Sequence, residues 1–141
     1  MKNKKMVHAY SNAELDANLE AEDPHILISV LLEELLKSMR IFEVNLEKQT
    51  SDLRLRNKHL TRALTIIYGL QSSLNMEKGG EIAENLFRLY EYAKQQLLDS
   101  AQTENGRALT VAITSLEEIT TTWRVLGIDN NAARARAGGR P

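Results

Sequence analysis

Few residues in this sequence have the side chains and spacing that metal or nucleophile chemistry needs. The nearest match is Glu22-x-x-His25, because a glutamate and a histidine three residues apart ligate iron in di-iron helical bundles. Such a centre takes two of these motifs and two further glutamates, whereas this sequence has one motif, which Pro24 interrupts at a helix start. Neither His8 nor His59 has a carboxylate partner at a metal-binding spacing. The pattern therefore argues against a metal site.

Other routes to catalysis have little support in the residue pattern. The chain has no cysteine, which removes thiolate nucleophiles and thiolate metal ligands. Gly79-Gly80-Glu81 lacks the spacing of a phosphate-binding loop and the strand that precedes one. No serine or histidine lies in a recognisable nucleophile setting. We therefore expect neither an enzyme nor a bound cofactor, with a metal-dependent bundle enzyme as the rival hypothesis.

The elements that position these residues are predicted to be helices. The 141-residue chain is one domain in length, is 5% aromatic and has only two prolines. β-Branched residues rarely alternate with polar ones, which excludes an all-β sandwich. The most apolar stretch, 26–32, falls far short of the ~20 residues of a membrane span, and no apolar segment follows the basic start at 1–6. We expect a cytoplasmic protein that does not insert into membranes.

Apolar residues recur at spacings of three and four along four segments, which predicts four helices of about 20–25 residues. Asp23-Pro24 is a typical helix start, since the carboxylate caps free amides and proline needs no N–H there. Thr50-Ser51-Asp52 offers the next cap, Gly79-Gly80 ends the second helix, and a turn at 104–106 precedes the fourth. The predicted stripes are Ile28, Leu32, Leu35, Met39, Phe42 and Leu46; Leu53, Leu60, Ala63, Ile67, Leu70 and Leu74; Ile82, Leu86, Leu89, Ala93 and Leu97; and Leu109, Ala112, Leu116, Ile119, Trp123 and Leu126.

Similar helix lengths and short connections predict an all-α fold, an antiparallel up-down four-helix bundle over residues 23–126. We expect residues 1–22 to form an N-terminal segment that caps the bundle. The tail 127–141 contains arginine, alanine and glycine with few apolar residues, so we expect it to be disordered. The net charge of −1 is the sum of two basic ends and an acidic central part, which argues against nucleic acid as the main partner.

The helices carry more apolar residues than four core stripes require. Val44 and Ile66 lie roughly 100° from the core line of their helices, which predicts an apolar groove for an amphipathic helical partner. Core packing on a broad stripe is the alternative for each residue. Residues 6–22 place Met6 and Tyr10 in a polar background, as in a strip that docks on a groove or a short helix that completes the core.

A block in the middle of the chain is more specific than these patterns. Residues 79–92 read Gly-Gly-Glu-Ile-Ala-Glu-Asn-Leu-Phe-Arg-Leu-Tyr-Glu-Tyr, and Ile66-Ile67 and Leu74-Asn75 precede them. The block resembles the second and third helices of the flagellar secretion chaperones of the FliS family. Ala9-Tyr10 and Trp123 extend the resemblance over about residues 9–126.

The resemblance implies a cytosolic helical bundle that binds the disordered C-terminal segment of flagellin, blocks premature filament assembly and presents flagellin to the type III export apparatus. It also implies that the N-terminal strip covers part of the binding surface. Further partners that it suggests are an export-gate component and a regulator or co-chaperone, with the chain itself a monomer or a weak homodimer. The predicted partner-binding residues are Tyr10, Ile66, Leu70, Asn85, Leu86, Phe87 and Tyr90, with Asn85 orienting the partner's backbone.

One departure from the family pattern supports an alternative. Leu31-Leu32-Glu33-Glu34 stands where the family has Leu-Tyr-Asp-Gly, so an aromatic and a small residue are lost. This change favours a helical-bundle adaptor or co-chaperone that binds a different flagellar or regulatory protein. The two hypotheses differ in whether the chain binds the C-terminal segment of flagellin.

Overall fold

The computed structural model describes residues 24–46 and 52–138, and over these ranges the chain forms four helices without strands. Helix α1 spans Pro24–Val44, α2 spans Leu53–Ser72, α3 spans Met76–Thr103 and α4 spans Arg107–Gly138. The predicted all-α class is confirmed. Among the described residues, no helix combines the length and apolar character that crossing a bilayer requires.

The helices pack as a ring in which α1 and α3 each contact both α2 and α4. Side-chain contacts show that α1 and α4 run in opposite directions. Near the end of α1, Thr110 Oγ1 donates to Glu43 Oε2 over 2.9 Å, whereas near its start Trp123 Nε1 donates to the carbonyl of His25 over 3.0 Å. The connections at 73–75 and 104–106 reverse the chain between α2, α3 and α4.

Polar side chains fix where two of the helices begin. The carboxylate of Asp52 accepts a hydrogen bond from the amide of Leu55 over 3.1 Å, which confirms the predicted cap of α2. The side chain of Asn75 accepts from the amide of Lys78 over 2.9 Å and starts α3. The predicted cap of α1, Asp23, lies outside the described residues.

The prediction that Gly79-Gly80 ends the second helix is wrong. Helix α2 ends at Ser72, and the amide of Ser73 donates to the carbonyl of Gly69 over 3.0 Å. Because Asn75 then caps a new helix, both glycines lie inside α3. The glycines therefore do not end α2; Gly80, with φ 52° and ψ −128°, instead kinks α3 after the first turn that Asn75 caps.

The third and fourth helices are longer than predicted, with 28 residues in α3 and 32 in α4. The backbone of α4 is helical to Gly138, so residues 127–138 have the secondary structure that we expected the tail to lack. Alanine and arginine, which dominate 132–137, are strong helix formers and account for this extension. The division of the chain into 1–22, 23–126 and 127–141 stays a prediction.

The core follows the predicted stripes at the middle of each helix. The largest fully buried side chains include Leu35, Met39 and Phe42 of α1 and Leu97 of α3. Three stripe residues are exposed instead: Leu53 at the start of α2, Ile82 near the start of α3 and Leu126 of α4.

A short polar seam interrupts the apolar contact between α1 and α2. His59 is buried, and its Nδ1 lies 3.2 Å from the hydroxyl of Ser38. One turn away the guanidinium of Arg62 pairs with the carboxylate of Glu34. Burial lowers the pKa of His59, and the positive charge of Lys58 lowers it further, so the imidazole is held neutral in the folded chain.

We predict that His59 makes the fold acid-sensitive. Since the pKa of His59 is lower in the folded than in the unfolded chain, its contribution to stability is complete above about pH 6.5 and is lost as the pH falls. A pKa difference of one between the two states corresponds to about 1.4 kcal/mol. Urea unfolding at pH 7 and pH 5 should show a smaller loss of unfolding free energy in His59→Gln than in the wild-type chain. Equal losses in the two proteins would contradict this assignment.

Candidate functional site

An apolar pocket of about 230 Å³ opens at the end of the bundle where α1 and α3 begin. Helix α1 contributes Ile28 and Leu32 to its lining, and α4 contributes Ile119 and Trp123. The antiparallel order brings the end of α2 to the same place. The remaining lining residues are Leu70, Ser73, Leu74, Asn75, Gly79, Ile82, Ala83, Leu86 and Tyr90.

One wall of the pocket is fixed by a contact between His25 of α1 and Trp123 of α4. Their rings are stacked, with centroids 4.1 Å apart and planes inclined by 5°. Trp123 Nε1 donates to the carbonyl of His25 over 3.0 Å, and His25 Nε2 lies 2.7 Å from the carbonyl of Trp123. Because a carbonyl oxygen only accepts, the second contact places a proton on Nε2. The indole is thus fixed by the hydrogen bond at its N–H and by stacking on the face of its ring.

The floor of the pocket is formed by Tyr90, Leu70 and Ala83, all of which are buried. Burial raises the pKa of Tyr90 to about 12, so its phenol stays neutral at any physiological pH. A neutral phenol and aliphatic side chains favour an apolar ligand group over a charged one.

The rim of the pocket on the α3 side comes from the connection after α2 and from the first turn of α3. Asn75 and Gly79 line this rim, and Ile82 stands beside it with 72% of its surface exposed. An isoleucine that lines a pocket and is open to solvent offers apolar area to a partner.

The structure brings together three of the predicted partner-binding residues. Leu70, Leu86 and Tyr90 all line the pocket, although only Leu86 is more than slightly exposed. The other predicted residues lie elsewhere. Ile66 has no exposed surface and belongs to the core, and Tyr10 lies outside the described residues.

Phe87 and Asn85 are accessible but do not line the pocket. Phe87 is 39% exposed on the side of α3 that faces α2, where Gln71 Nε2 lies 3.4 Å from the Phe87 carbonyl. The side chain of Asn85 is exposed and accepts from Arg88 Nη1 over 3.3 Å. The partner-binding role of all seven predicted residues stays a prediction.

Sequence reasoning missed the contribution of α1 and α4. Ile28, Leu32, Ile119 and Trp123 were expected only as members of core stripes, yet they are four of the thirteen residues that line the pocket. The signal available was that Ile28 and Trp123 lie close to the predicted bounds of the bundle at 23 and 126, where a stripe can run past the neighbouring helices.

The residues considered for metal binding are not brought together. His25 stacks on Trp123 and His59 contacts Ser38, while Glu22 and His8 lie outside the described residues. Within the described part of the chain, no three histidine, aspartate or glutamate side chains are grouped so as to hold a metal ion.

We predict that His25→Ala loosens the pocket wall. The substitution removes the ring stacking and one hydrogen bond, which together contribute roughly 1–3 kcal/mol. Trp123 is the only tryptophan, so its fluorescence reports on this wall alone, and its emission should move to longer wavelength. Val125→Ala, an exposed position on the same helix, is the matched control and should change neither emission nor stability. An unaltered spectrum and unfolding midpoint in His25→Ala would show that the contact is dispensable.

Comparison with known proteins places the chain among flagellar proteins. A family model described as "Flagellar protein FliS" matches residues 6–130. The flagellar secretion chaperone FliS of Vibrio cholerae serotype O1 is 29% identical over 117 residues, which cover 83% of this chain and 85% of the relative.

Two further relatives give the same result. The flagellar secretion chaperone FliS of Salmonella typhimurium is 29% identical over 119 residues, 84% of this chain and 87% of the relative. The flagellar secretion chaperone FliSB of Pseudomonas aeruginosa is 30% identical over 112 residues, 79% of this chain and 86% of the relative. Because the family model spans most of the sequence, the chain belongs to the FliS family of flagellar proteins.

Proposed function

We propose that this chain is a flagellar secretion chaperone that binds the disordered C-terminal segment of flagellin. Binding keeps flagellin from polymerising in the cytoplasm and delivers it to the flagellar type III export apparatus. The family match over residues 6–130 carries this proposal, and the names of the relatives support the secretion role. The open apolar pocket supplies a surface suited to such a partner.

The binding surface that we propose consists of the pocket and the exposed face of α3 beside it. A disordered segment that folds on binding forms an amphipathic helix, whose apolar side chains require an apolar groove. Ile82 and Leu86 offer that surface at the pocket, and Phe87 extends it toward α2. Asn85, next to Leu86 in the sequence, has an exposed polar side chain that can contact the backbone of the partner.

Magnitudes indicate that the pocket alone is insufficient. Burial of one large apolar side chain contributes roughly 1.5–3 kcal/mol. Ordering a disordered segment opposes binding by about 2–5 kcal/mol. A stable complex therefore needs further apolar contacts outside the pocket, which is why we include the exposed α3 residues in the site.

The proposed activity is binding without catalysis. The pocket is lined mainly by aliphatic and aromatic side chains, with Ser73 and Asn75 as its uncharged polar members, and its one titratable group, Tyr90, stays protonated. No step of the proposed activity requires a bound cofactor or metal ion.

The sequence feature that favoured a different partner has a structural explanation within the bundle. Leu31 and Leu32 are buried in the core. Glu33 pairs with Arg124 of α4 over 2.5 Å, and Glu34 pairs with Arg62 of α2. Leu31, Glu33 and Glu34 serve helix packing, and Leu32 adds an apolar side chain to the pocket lining. The motif therefore does not favour an adaptor over a flagellin chaperone.

We predict that Ile82→Asp weakens binding of a peptide from the flagellin C-terminus by at least tenfold, because it places a carboxylate at the apolar rim. Isothermal titration calorimetry measures the affinity. Because Ile82 is 72% exposed, the helix content should match that of the wild type. The unfolding free energy should stay within about 0.5 kcal/mol of the wild-type value.

Val111→Asp is the matched control, since Val111 is 56% exposed on α4 and does not line the pocket. It should bind like the wild type. Equal affinities for Ile82→Asp and Val111→Asp would exclude the pocket as the site, and no binding by the wild-type chain would exclude the flagellin assignment.

A further inference from the structure

The first turn of α3 is separated from the rest of the helix by a kink. Gly80 has φ 52° and ψ −128°, a combination that L-residues essentially never adopt. The turn before it, Met76–Gly79, is closed by its own hydrogen bonds. The side chain of Asn75 accepts from the amide of Lys78 over 2.9 Å, and its carbonyl accepts from the amide of Gly79 over 2.8 Å. A complete turn is thus joined to the main helix through one glycine.

The other glycine of the pair, Gly79, allows this turn to lie against the main helix. A Cβ atom added at Gly79 would lie 2.5 Å from the Cβ of Ala83, a distance that real side chains do not reach. The close approach therefore requires glycine at position 79. Gly79 and Ala83 both line the pocket, so the kinked turn forms its rim on the α3 side.

We propose that Met76–Gly79 is a hinged rim that has two states. In the kinked state, the turn closes over an apolar side chain of the partner in the pocket. In the straight state, α3 continues as one helix through Gly80 and the rim swings away from the pocket. Hinges of this kind absorb a large change of φ and ψ at one or two residues. The role in partner release rests on the proposed function, whereas the two-state rim does not.

The glycine pair sets the balance between the two states. In a straight helix, alanine is favoured over glycine by roughly fivefold at each position. In the kinked state, alanine at position 80 must hold a φ of 52°, and alanine at position 79 would meet Ala83. Combining the helix preference with the strain of that φ, we expect Gly80→Ala to shift the ratio toward the straight state by about 50-fold.

The wall opposite the rim provides a fixed reference for measuring this motion. Trp123 is held by His25 through stacking and two hydrogen bonds, and it is the only tryptophan. The chain has no cysteine, so a cysteine introduced at Lys78 takes a fluorescent acceptor at a single site. Energy transfer from Trp123 to that acceptor reports the distance from wall to rim.

The first measurement uses the full chain without a partner. Placing Gly80→Ala in the labelled Lys78→Cys chain should shift the energy-transfer efficiency to a new value, with helicity by circular dichroism retained. The same substitution should leave transfer to an acceptor at Glu84→Cys unchanged, because Glu84 lies beyond the hinge. Unchanged transfer at position 78 would overturn the two-state rim. Gly79→Ala disfavours the kink because its Cβ would meet Ala83. It replaces Gly80→Ala in this measurement if that variant does not fold.

The second measurement follows release of a peptide from the flagellin C-terminus by stopped-flow fluorescence. Gly80→Ala and Gly79→Ala should each raise the dissociation rate at least tenfold, while Val111→Ala, at an exposed position of α4 that does not line the pocket, should not. If the peptide dissociates from both glycine variants at the wild-type rate, the rim has no role in partner release. Absence of any binding to the wild-type chain would instead overturn the proposed function. The energy-transfer measurement would still test whether the rim has two states.

Discussion

The burial of α1 between α2 and α4 is the constraint on which the rest of the structure depends. Apolar residues of α1 occupy more than one face, and Leu31, Leu35, Leu36 and Phe42 are all buried. A single neighbouring helix covers one stripe, so α1 needs a helix on each side. A buried side chain as large as that of Phe42 contributes roughly 3–5 kcal/mol, against a total stability of about 5–15 kcal/mol for a domain of this kind. Helix α3 then packs against α2 and α4 and completes the ring.

The pocket follows from where this covering stops. The apolar stripes continue to the start of α1 and to the part of α4 that contacts it, and they leave Ile28 and Trp123 only half-buried. At this end α3 supplies Gly79 and Ala83, which have almost no side-chain volume, so the space between the helices stays open. The same burial that stabilises the middle of the bundle therefore leaves an apolar surface at one end, which is the kind of surface that a folding segment can use.

The middle of the bundle could be predicted from the sequence because helix periodicity fixes which side chains point inward. The edge of the core could not be predicted, since it depends on how the neighbouring helix lies. Val44 and Ile66 have similar offsets from the core line, yet Val44 is 51% exposed and Ile66 has no exposed surface because it lies in the core contact between α1 and α2. The Gly79-Gly80 pair was misread for a related reason. Its role depends on the cap at Asn75 and on the close approach to Ala83, and neither is visible as periodicity.

The charged pairs across the bundle explain how one end can be adjustable while the rest stays rigid. Glu33 and Glu34 are adjacent in α1 and pair with opposite neighbours, Arg124 of α4 and Arg62 of α2. The pair of Glu33 with Arg124 is exposed, and such pairs contribute only about 0–1 kcal/mol, whereas the pair of Glu34 with Arg62 is partly buried. Both pairs fix the position of α1 between its neighbours one turn below the pocket. The contact between His25 and Trp123 fixes α1 against α4 at the mouth of the pocket. Helices α1, α2 and α4 are tied together in this way at the pocket, whereas the first turn of α3 is joined to the rest of its own helix through Gly80 alone. A change in the shape of the pocket therefore requires the least rearrangement at that turn.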